Sequence, residues 1–534
     1  MCARSRQRDE VTHLENWQIR KAAISASGGI VVSQHYKASS IGATVLEDGG
    51  NAVDAAIAAS FAIGVLEPWQ SGLGGVGHMV VAPAGRTAFS IDFAARAPLA
   101  LEADDYRLTG EPARGMFGWP AVVDDRNLEG PFSIGVPGQV AGMTLAHREC
   151  GSLPWRRLVE PAVRCAREGL EIDWYLTLKI ASVAAGLARY PGSSACYLRD
   201  GHAPASDWAG AASPIVLEDQ AATLEAIAER GGDDFYRGAL AHRIAADFAT
   251  VGSRLSFDDL AAYRAEITPI EALRYRDASI LTSSALTAGP ALTRALSLFA
   301  RQADADGTAR PDARFFSRIA DALTQTYAER IGGAAPGDDA RRGTCTTHIS
   351  VVDRHGNAVA LTQTLLSMFG SKVTLPQTGI VMNNAVMWFD PRPGKANSIM
   401  PGAVPLSNMC PTVVKRATGD VLALGASGGR RIMPAVMQLV AYLVDCGMSI
   451  EDAIHFPRLD ASGDPWVTID DRFDASVAQA IGAAHEVRRA ANLVAPNLFG
   501  CPNVVLRDGQ TRQLTGGAFV SSPWSAAVAE RDAH

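Results

Sequence analysis

The chain has 534 residues, a formal net charge of −7, 47% hydrophobic residues and eight cysteines. That length holds several average domains or one large α/β unit with ample core, and the acidic balance, with no long basic run, argues against nucleic acid or an anionic membrane as partner. The longest apolar tract, Ala55 to Leu66, is interrupted by Ser60 and Gly64 and stops at Glu67-Pro68, too short to span a bilayer.

Residues 1–28 read as a polar, weakly structured leader. Arg4, Arg6 and Arg8 supply positive charge, but no apolar segment follows them. No secretory signal is visible, so the expectation is a cytoplasmic protein with reduced cysteines. No C-x-x-C pair and no Cys/His ligand spacing occurs, so no metal is expected. Ile30 to Ser33 reads as a strand. Ser40 to Leu46 and Ala52 to Leu66 read as helices, separated by Asp48-Gly49-Gly50-Asn51, where the glycines stop one helix and Asn51 caps the next. Met79 to Ala82 and Ala88 to Phe93 read as strands around Pro83-Ala84-Gly85.

Between these elements, Gly72-Leu73-Gly74-Gly75-Val76-Gly77 fits the G-x-G-x-x-G spacing. Dinucleotide binding needs a strand before that loop and a helix after it. Here the predicted helix comes first and the strand second, so the glycines are read as a tight loop near a site. From Leu153 to Phe248 the pattern is largely helical. Gln302 to Arg310 and Ile331 to Gly343 are rich in Asp, Ala, Gly and Arg, and the second is the best linker candidate.

After it, Thr346 to Val352 and Ala358 to Leu365 read as a hairpin turning at Asp353-Arg354-His355-Gly356-Asn357. Val421 to Leu424 reads as a strand, followed by a Gly428-Gly429 turn and a helix over about 430–446. Strands and helices that segregate in this way, with pairing antiparallel in part, predict a layered α/β sandwich rather than a doubly wound parallel sheet.

Thr346 and Thr347 are, by themselves, β-branched residues at the head of a strand. A threonine hydroxyl is a weak nucleophile without an adjacent base, but an N-terminal threonine carries one in its own α-amine, with a reference pKa of ~7.7–8.0. Gly428 and Gly429, between strand and helix, fit a turn, or backbone N–H groups that reach a substrate oxygen. Thr362 and Thr364 alternate on the second hairpin strand, and one of them could lie beside Thr346.

Several ordered motifs go further. They are Asp48-Gly49-Gly50-Asn51-Ala52-Val53-Asp54-Ala55-Ala56, Glu67-Pro68 with Ser71-Gly72-Leu73-Gly74-Gly75, Gly135-Val136-Pro137-Gly138, Thr346-Thr347-His348 with Ser350-Val351-Val352-Asp353, Asn383-Asn384, Pro405-Leu406-Ser407 with Met409, and Gly425 with Gly428-Gly429. Together they resemble the γ-glutamyltransferase family of N-terminal-nucleophile hydrolases, over nearly the whole chain. The resemblance implies a four-layer αββα fold and autocleavage between Cys345 and Thr346. The products would be a large subunit 29–345 behind the leader and a small subunit 346–534, together forming one unit. It further implies Thr346 as nucleophile with its α-amine as base, Thr364 beside it, Gly428 and Gly429 at the oxyanion hole, and Ser407 on the substrate carboxylate. Asn408 stands where the family has a second serine.

The resemblance breaks at the glutamate clamp. Ala94 follows Asp92-Phe93 where the family has an arginine, and the nearest arginine is Arg96. Leu366, Ala385 and Trp388 replace an asparagine, a glutamine and an aspartate. Tryptophan supplies no counter-charge to an ammonium group, and a site that loses such a pairing loses selectivity for that group. The expectation is therefore an amidase acting on a small non-glutamyl amide, oxamate-like or acyl, without a cofactor, with Ser407, Asn408 and Arg96 as candidate carboxylate contacts. The alternatives are a true γ-glutamyltransferase or glutathione hydrolase, and an unprocessed, non-catalytic binding paralogue. A dimer of the processed heterodimer stays open as an assembly.

Overall fold

The structure is a computed structural model that describes residues 19–111, 119–206, 212–301, 311–331 and 344–531. Two antiparallel sheets of seven strands dominate it. The first runs Ala526–Ala529, Ile30–Ser33, Thr344–Val352, Ala358–Ser367, Val76–Ala82, Phe89–Phe93, Glu266–Pro269 in spatial order. The second runs Ile24–Ala26, Leu514–Ala518, Cys501–Arg507, Val421–Ser427, Thr412–Arg416, Ala278–Thr282, Leu273–Tyr275. Every neighbouring pair in both is antiparallel. The pairing is thus more uniformly antiparallel than expected. A parallel pair, Trp466–Asp470 with Glu486–Ala490, belongs to a small third sheet.

Side-chain alternation explains the layering. Along the central hairpin, Ile349, Val351, Val359 and Leu361 join the core shared with the helices outside the first sheet. Val352, Ala358 and Ala360 face the other way and pack with Val413, Ala423 and Val505 of the second sheet. Alternate residues point to opposite faces of a strand, so one sequence feeds two cores. A third core lies between the second sheet and the helices Gly289–Arg301, Ala313–Ile331 and Ile432–Val444. The order helix, sheet, sheet, helix is the four-layer αββα sandwich that the family resemblance implies.

The helix Ala52–Leu66 is buried along its whole length. Asn51 caps it by accepting from the Val53 and Asp54 amides at 2.8 and 3.1 Å, and Asp54 accepts from the Asn51 amide in return. A cap of this kind is worth about 1 kcal/mol. Asp353, in the hairpin turn, accepts from the Ala52 amide at 3.1 Å. The turn of the central hairpin is therefore tied to the start of the central helix.

Most sequence-derived elements fall in place, with differences at their edges. The first helix runs Tyr36–Glu47, longer than expected, because His35 rather than a later residue accepts from the Lys37 amide and caps it. The helix expected over about 430–446 is a short 3₁₀ turn, Gly429–Arg431, followed by Ile432–Val444. The leader needs correction: Ile24–Ala26 pairs with Leu514–Ala518, and Lys21 Nζ donates to the Pro523 carbonyl at 2.7 Å. Its carboxyl-terminal part is woven into the second sheet, whose pairing partner lies almost 500 residues away and leaves no local mark. The linker expected over 331–343 lies outside the described residues, save for Ile331 at the end of its helix. Among the described residues no helix is long and apolar enough to cross a membrane.

Candidate active site

Thr346 stands near the start of its strand, at an irregularity in the pairing. Cys345 opposes Leu366 and Thr347 opposes Gln363, so the partner strand carries one residue too many across Thr346. A bulge of this kind re-aims side chains and is over-represented beside active sites. Here it gathers three groups. Thr346 Oγ1 lies 2.6 Å from the Cys345 carbonyl oxygen and 3.3 Å from Thr364 Oγ1. Thr364 Oγ1 also donates to the Cys345 carbonyl and accepts from the Leu366 amide at 2.8 Å. Two hydroxyls thus converge on the carbonyl of the 345–346 peptide bond. Thr346 is only 4% exposed, and Thr364 is fully buried. Burial pushes the Cys345 thiol up to about 12, only partly offset by Lys179 and Lys372, so this sulfur stays a neutral thiol beside the two hydroxyls.

Gly428 and Gly429 follow the strand Val421–Ser427 of the second sheet, which packs against the Thr346 strand. Their φ values of +128° and +62° are left-handed, and a Cβ on Gly428 would come within 3.0 Å of Gly500 Cα. The turn therefore requires glycine. No acceptor for either amide N–H is found among the described residues, the condition under which such groups serve an incoming oxyanion. Tyr327 Oη donates to the Arg430 carbonyl at 2.5 Å and pins the next residue of the turn.

Leu366, Ala385 and Trp388 lie in one buried apolar cluster with Val76, Ala95 and Met409. Leu366 holds φ +81°, an uncommon conformation for a bulky residue. Its backbone amide serves Thr364 while its side chain feeds the apolar cluster. Trp388 Nε1 is buried and has no hydrogen-bond partner among the described residues. Asn383 holds this region together: its side chain donates to the Gly74 and Gly135 carbonyls at 2.7 and 2.9 Å and accepts from the Ala385 amide. That explains the glycine loop. Gly74 bridges Met382, and a Cβ there would sit 2.2 Å from the Val381 carbonyl oxygen. The helix Ala52–Leu66 precedes the loop and the strand Val76–Ala82 follows it, as the sequence predicts.

Ser407 and Asn408 are buried, and Ser407 Oγ accepts from the Met409 amide at 3.1 Å. This places the pair next to the apolar cluster through Met409. Arg96 is engaged elsewhere. Its guanidinium meets Glu266 of the edge strand at 3.1 Å, with side chains 38% and 62% exposed. Its backbone bridges Val136, and its contact with a substrate carboxylate stands as a proposal.

Two features escape the sequence reading. His348 is fully buried, bonded to Thr362 Oγ1 at 2.8 Å and Ser350 Oγ at 3.1 Å. Asn503 of the second sheet donates to the His348 carbonyl, and Ser350 donates to Asn503, so this cluster rivets the two sheets beneath Thr346. Burial lowers the His348 pKa to about 3, so the ring is neutral at neutral pH. Glu67 is also fully buried; burial pushes its carboxyl up to about 8, against the opposing effects of Lys179 and the hydrogen bond from Gln70.

The chain is similar over most of its length to known proteins. The family model for gamma-glutamyltranspeptidase matches residues 38–340 and 325–518. The acylase ACY 1 proenzyme of Pseudomonas sp. (strain SE83) is 32% identical over 548 residues, covering 95% of each chain. The glutathione hydrolase proenzyme of Escherichia coli is 30% identical over 492 residues, covering 82% of this chain and 81% of its own. The crystal structure of a cephalosporin acylase from Bacillus halodurans shares the fold, with a TM-score of 0.82, 23% identity, and coverage of 98% of this chain and 99% of its own. The chain belongs to the gamma-glutamyltranspeptidase family.

Proposed function

We propose that this chain matures by cutting itself before Thr346 and then hydrolyses a small, non-glutamyl amide. The observation that carries the reading is the pair of hydroxyls on the Cys345 carbonyl. In the first step the Thr346 oxygen attacks the Cys345 carbonyl carbon. The hydroxyl proton passes to the Thr346 nitrogen as the C–N bond breaks, leaving an ester. Water then cleaves the ester into a Cys345 carboxylate and a free Thr346 with its α-amine. Thr364 polarises the carbonyl during attack. That both relatives bear the word proenzyme in their names supports such a precursor.

In turnover the same oxygen attacks the substrate carbonyl while the α-amine takes its proton. The Gly428 and Gly429 amides receive the oxyanion. The amine product leaves with a proton, and water releases the acyl group from Thr346. No cofactor enters these steps. The acyl specificity rests on Leu366, Ala385 and Trp388, whose shared apolar cluster offers no anionic partner for a glutamyl ammonium. The acylase relative favours this reading. The glutathione hydrolase relative favours the second one, γ-glutamyl transfer or hydrolysis.

A kinetic comparison of γ-glutamyl, oxamyl and simple acyl anilides separates them. Acyl or oxamyl turnover at least tenfold above γ-glutamyl is expected. Dominant γ-glutamyl turnover would overturn the pocket assignment and leave the processing step standing.

A further inference from the structure

Side-chain alternation sets two polar residues against each other between the sheets. On the strand Ile30–Ser33, Ile30 and Val32 face the second sheet, and the next residue of that set is Gln34. Val32 pairs with Ser350, and the antiparallel register carries Gln34 toward the Thr346 end of that strand. On the strand Val421–Ser427, Ala423 joins the same inter-sheet core and a Cβ on Gly425 would strike the His348 ring. The next residue of that set is Ser427. Gln34 Nε2 donates to Ser427 Oγ at 2.7 Å, and the two residues are 3% and 5% exposed.

Both ends of this bond are anchored. Ser522 Oγ donates to the Gln34 carbonyl at 3.0 Å, and Ser427 pairs with Cys501 of the neighbouring strand. Ser427 leads directly into Gly428, and the turn Gly429–Arg431 touches the strand Thr344–Val352. The rest of the layer between the sheets here is apolar. Apolar contact is non-directional and fixes no distance closely, whereas a hydrogen bond fixes distance and angle. Amide donors on one sheet serve a nucleophile on the other only at a defined separation.

We propose that Gln34 is a positioning residue for amide turnover: through Ser427 it holds the Gly428 and Gly429 amides in register with Thr346. The inference rests on the amidase reading for the role of those amides. Gln34 touches no reacting atom. Maturation, in which Thr364 polarises the Cys345 carbonyl, does not call on it. A misplacement of about 1 Å in a catalytic group costs about 10²-fold in rate, so a loosened glycine turn lowers kcat while substrate binding by other groups holds.

The test is Gln34→Leu, which keeps the bulk and deletes the donor, with Ser427→Ala and the double variant beside it. For the fastest of the γ-glutamyl, oxamyl and acyl anilides, kcat should fall about tenfold or more in each single variant, with KM and the maturation rate each within about threefold. The double variant should fall no further than the worse single one, because both remove the same bond. A second readout needs no turnover. Hydrogen–deuterium exchange of the segment 427–431, read by mass spectrometry on the full-length preparation as it matures, should quicken about fivefold or more in Gln34→Leu, with the segment 358–367 unchanged. Unchanged kcat, additive losses in the double variant, maturation slowed as much as kcat, or unchanged exchange would overturn the proposal. A parent that turns over none of the anilides counts against the amidase reading, and exchange then decides whether Gln34 holds the turn.

Discussion

Thr364 has one hydroxyl and engages the Cys345 carbonyl, the Thr346 hydroxyl and the Leu366 amide. Thr364→Val keeps the shape and deletes the donor. Losing one donor to a developing oxyanion costs about 10²–10³ in rate, so maturation should slow by that order, while Thr364→Ser should stay near the parent. A gel time course after synthesis measures it; unchanged maturation in the valine variant would remove Thr364 from the mechanism. Arg96→Ala gives the opposite expectation. Its exposed pair with Glu266 is worth about 0–1 kcal/mol, so thermal stability should hardly change. An unchanged KM would remove Arg96 from the pocket. The sequence placed Arg96 two positions from the family's arginine, and proximity along the chain made it the natural substitute. It could not show that the guanidinium pairs with Glu266, 170 residues away.

At the scale of elements, the central hairpin and the central helix are joined through Asp353. Its carboxylate accepts from the Ala52, His355 and Asn357 amides and from the Asn357 side chain. Asp353→Ala removes a helix-capping acceptor and the turn's organiser together, at a cost of about 2–4 kcal/mol in unfolding free energy. Asp353→Asn should lose less. Denaturant titration of the two variants checks this, and equal losses would mean that charge, not geometry, holds the turn. The turn was legible because Asp-Arg-His-Gly-Asn is a local signal between two β-rich runs. The helices Gly289–Arg301 and Ala313–Ile331 were not read at all. They flank a stretch rich in Asp and Ala, and their apolar faces become meaningful only against the second sheet.

Over the whole molecule, two buried ionisable groups set opposing limits on pH stability. His348 takes a proton only near pH 3 in the folded state but near 6.5 when unfolded. As pH falls below 6.5 the unfolded chain therefore binds the proton first. Stability is full above that pH and is lost by up to about 1.4 kcal/mol per pH unit toward pH 3. Glu67 works the other way: its folded pKa of about 8 lies above its ordinary 4.5. Its contribution is full below pH 4.5 and is lost as pH rises toward 8. Glu67→Gln should therefore raise the melting temperature by an increment that grows between pH 5 and 8, and a constant increment would contradict the assignment. Neither group announced itself in the sequence, because their burial comes from layers built by distant segments. The layers themselves were legible, through strand alternation and ordered motifs. For Trp388, which the resemblance sets where the family has an aspartate, the structure adds the apolar cluster around it.

Both the fold and the chemistry converge on the bond between Cys345 and Thr346. Amino-terminal sequencing of the fragments of the freshly matured protein, with Thr346→Ala beside it, tests that convergence most directly. The account predicts a small fragment beginning Thr-Thr-His-Ile-Ser in the parent and one uncut chain in the variant. A parent that remains a single chain, or a fragment that begins at any other residue, would contradict it.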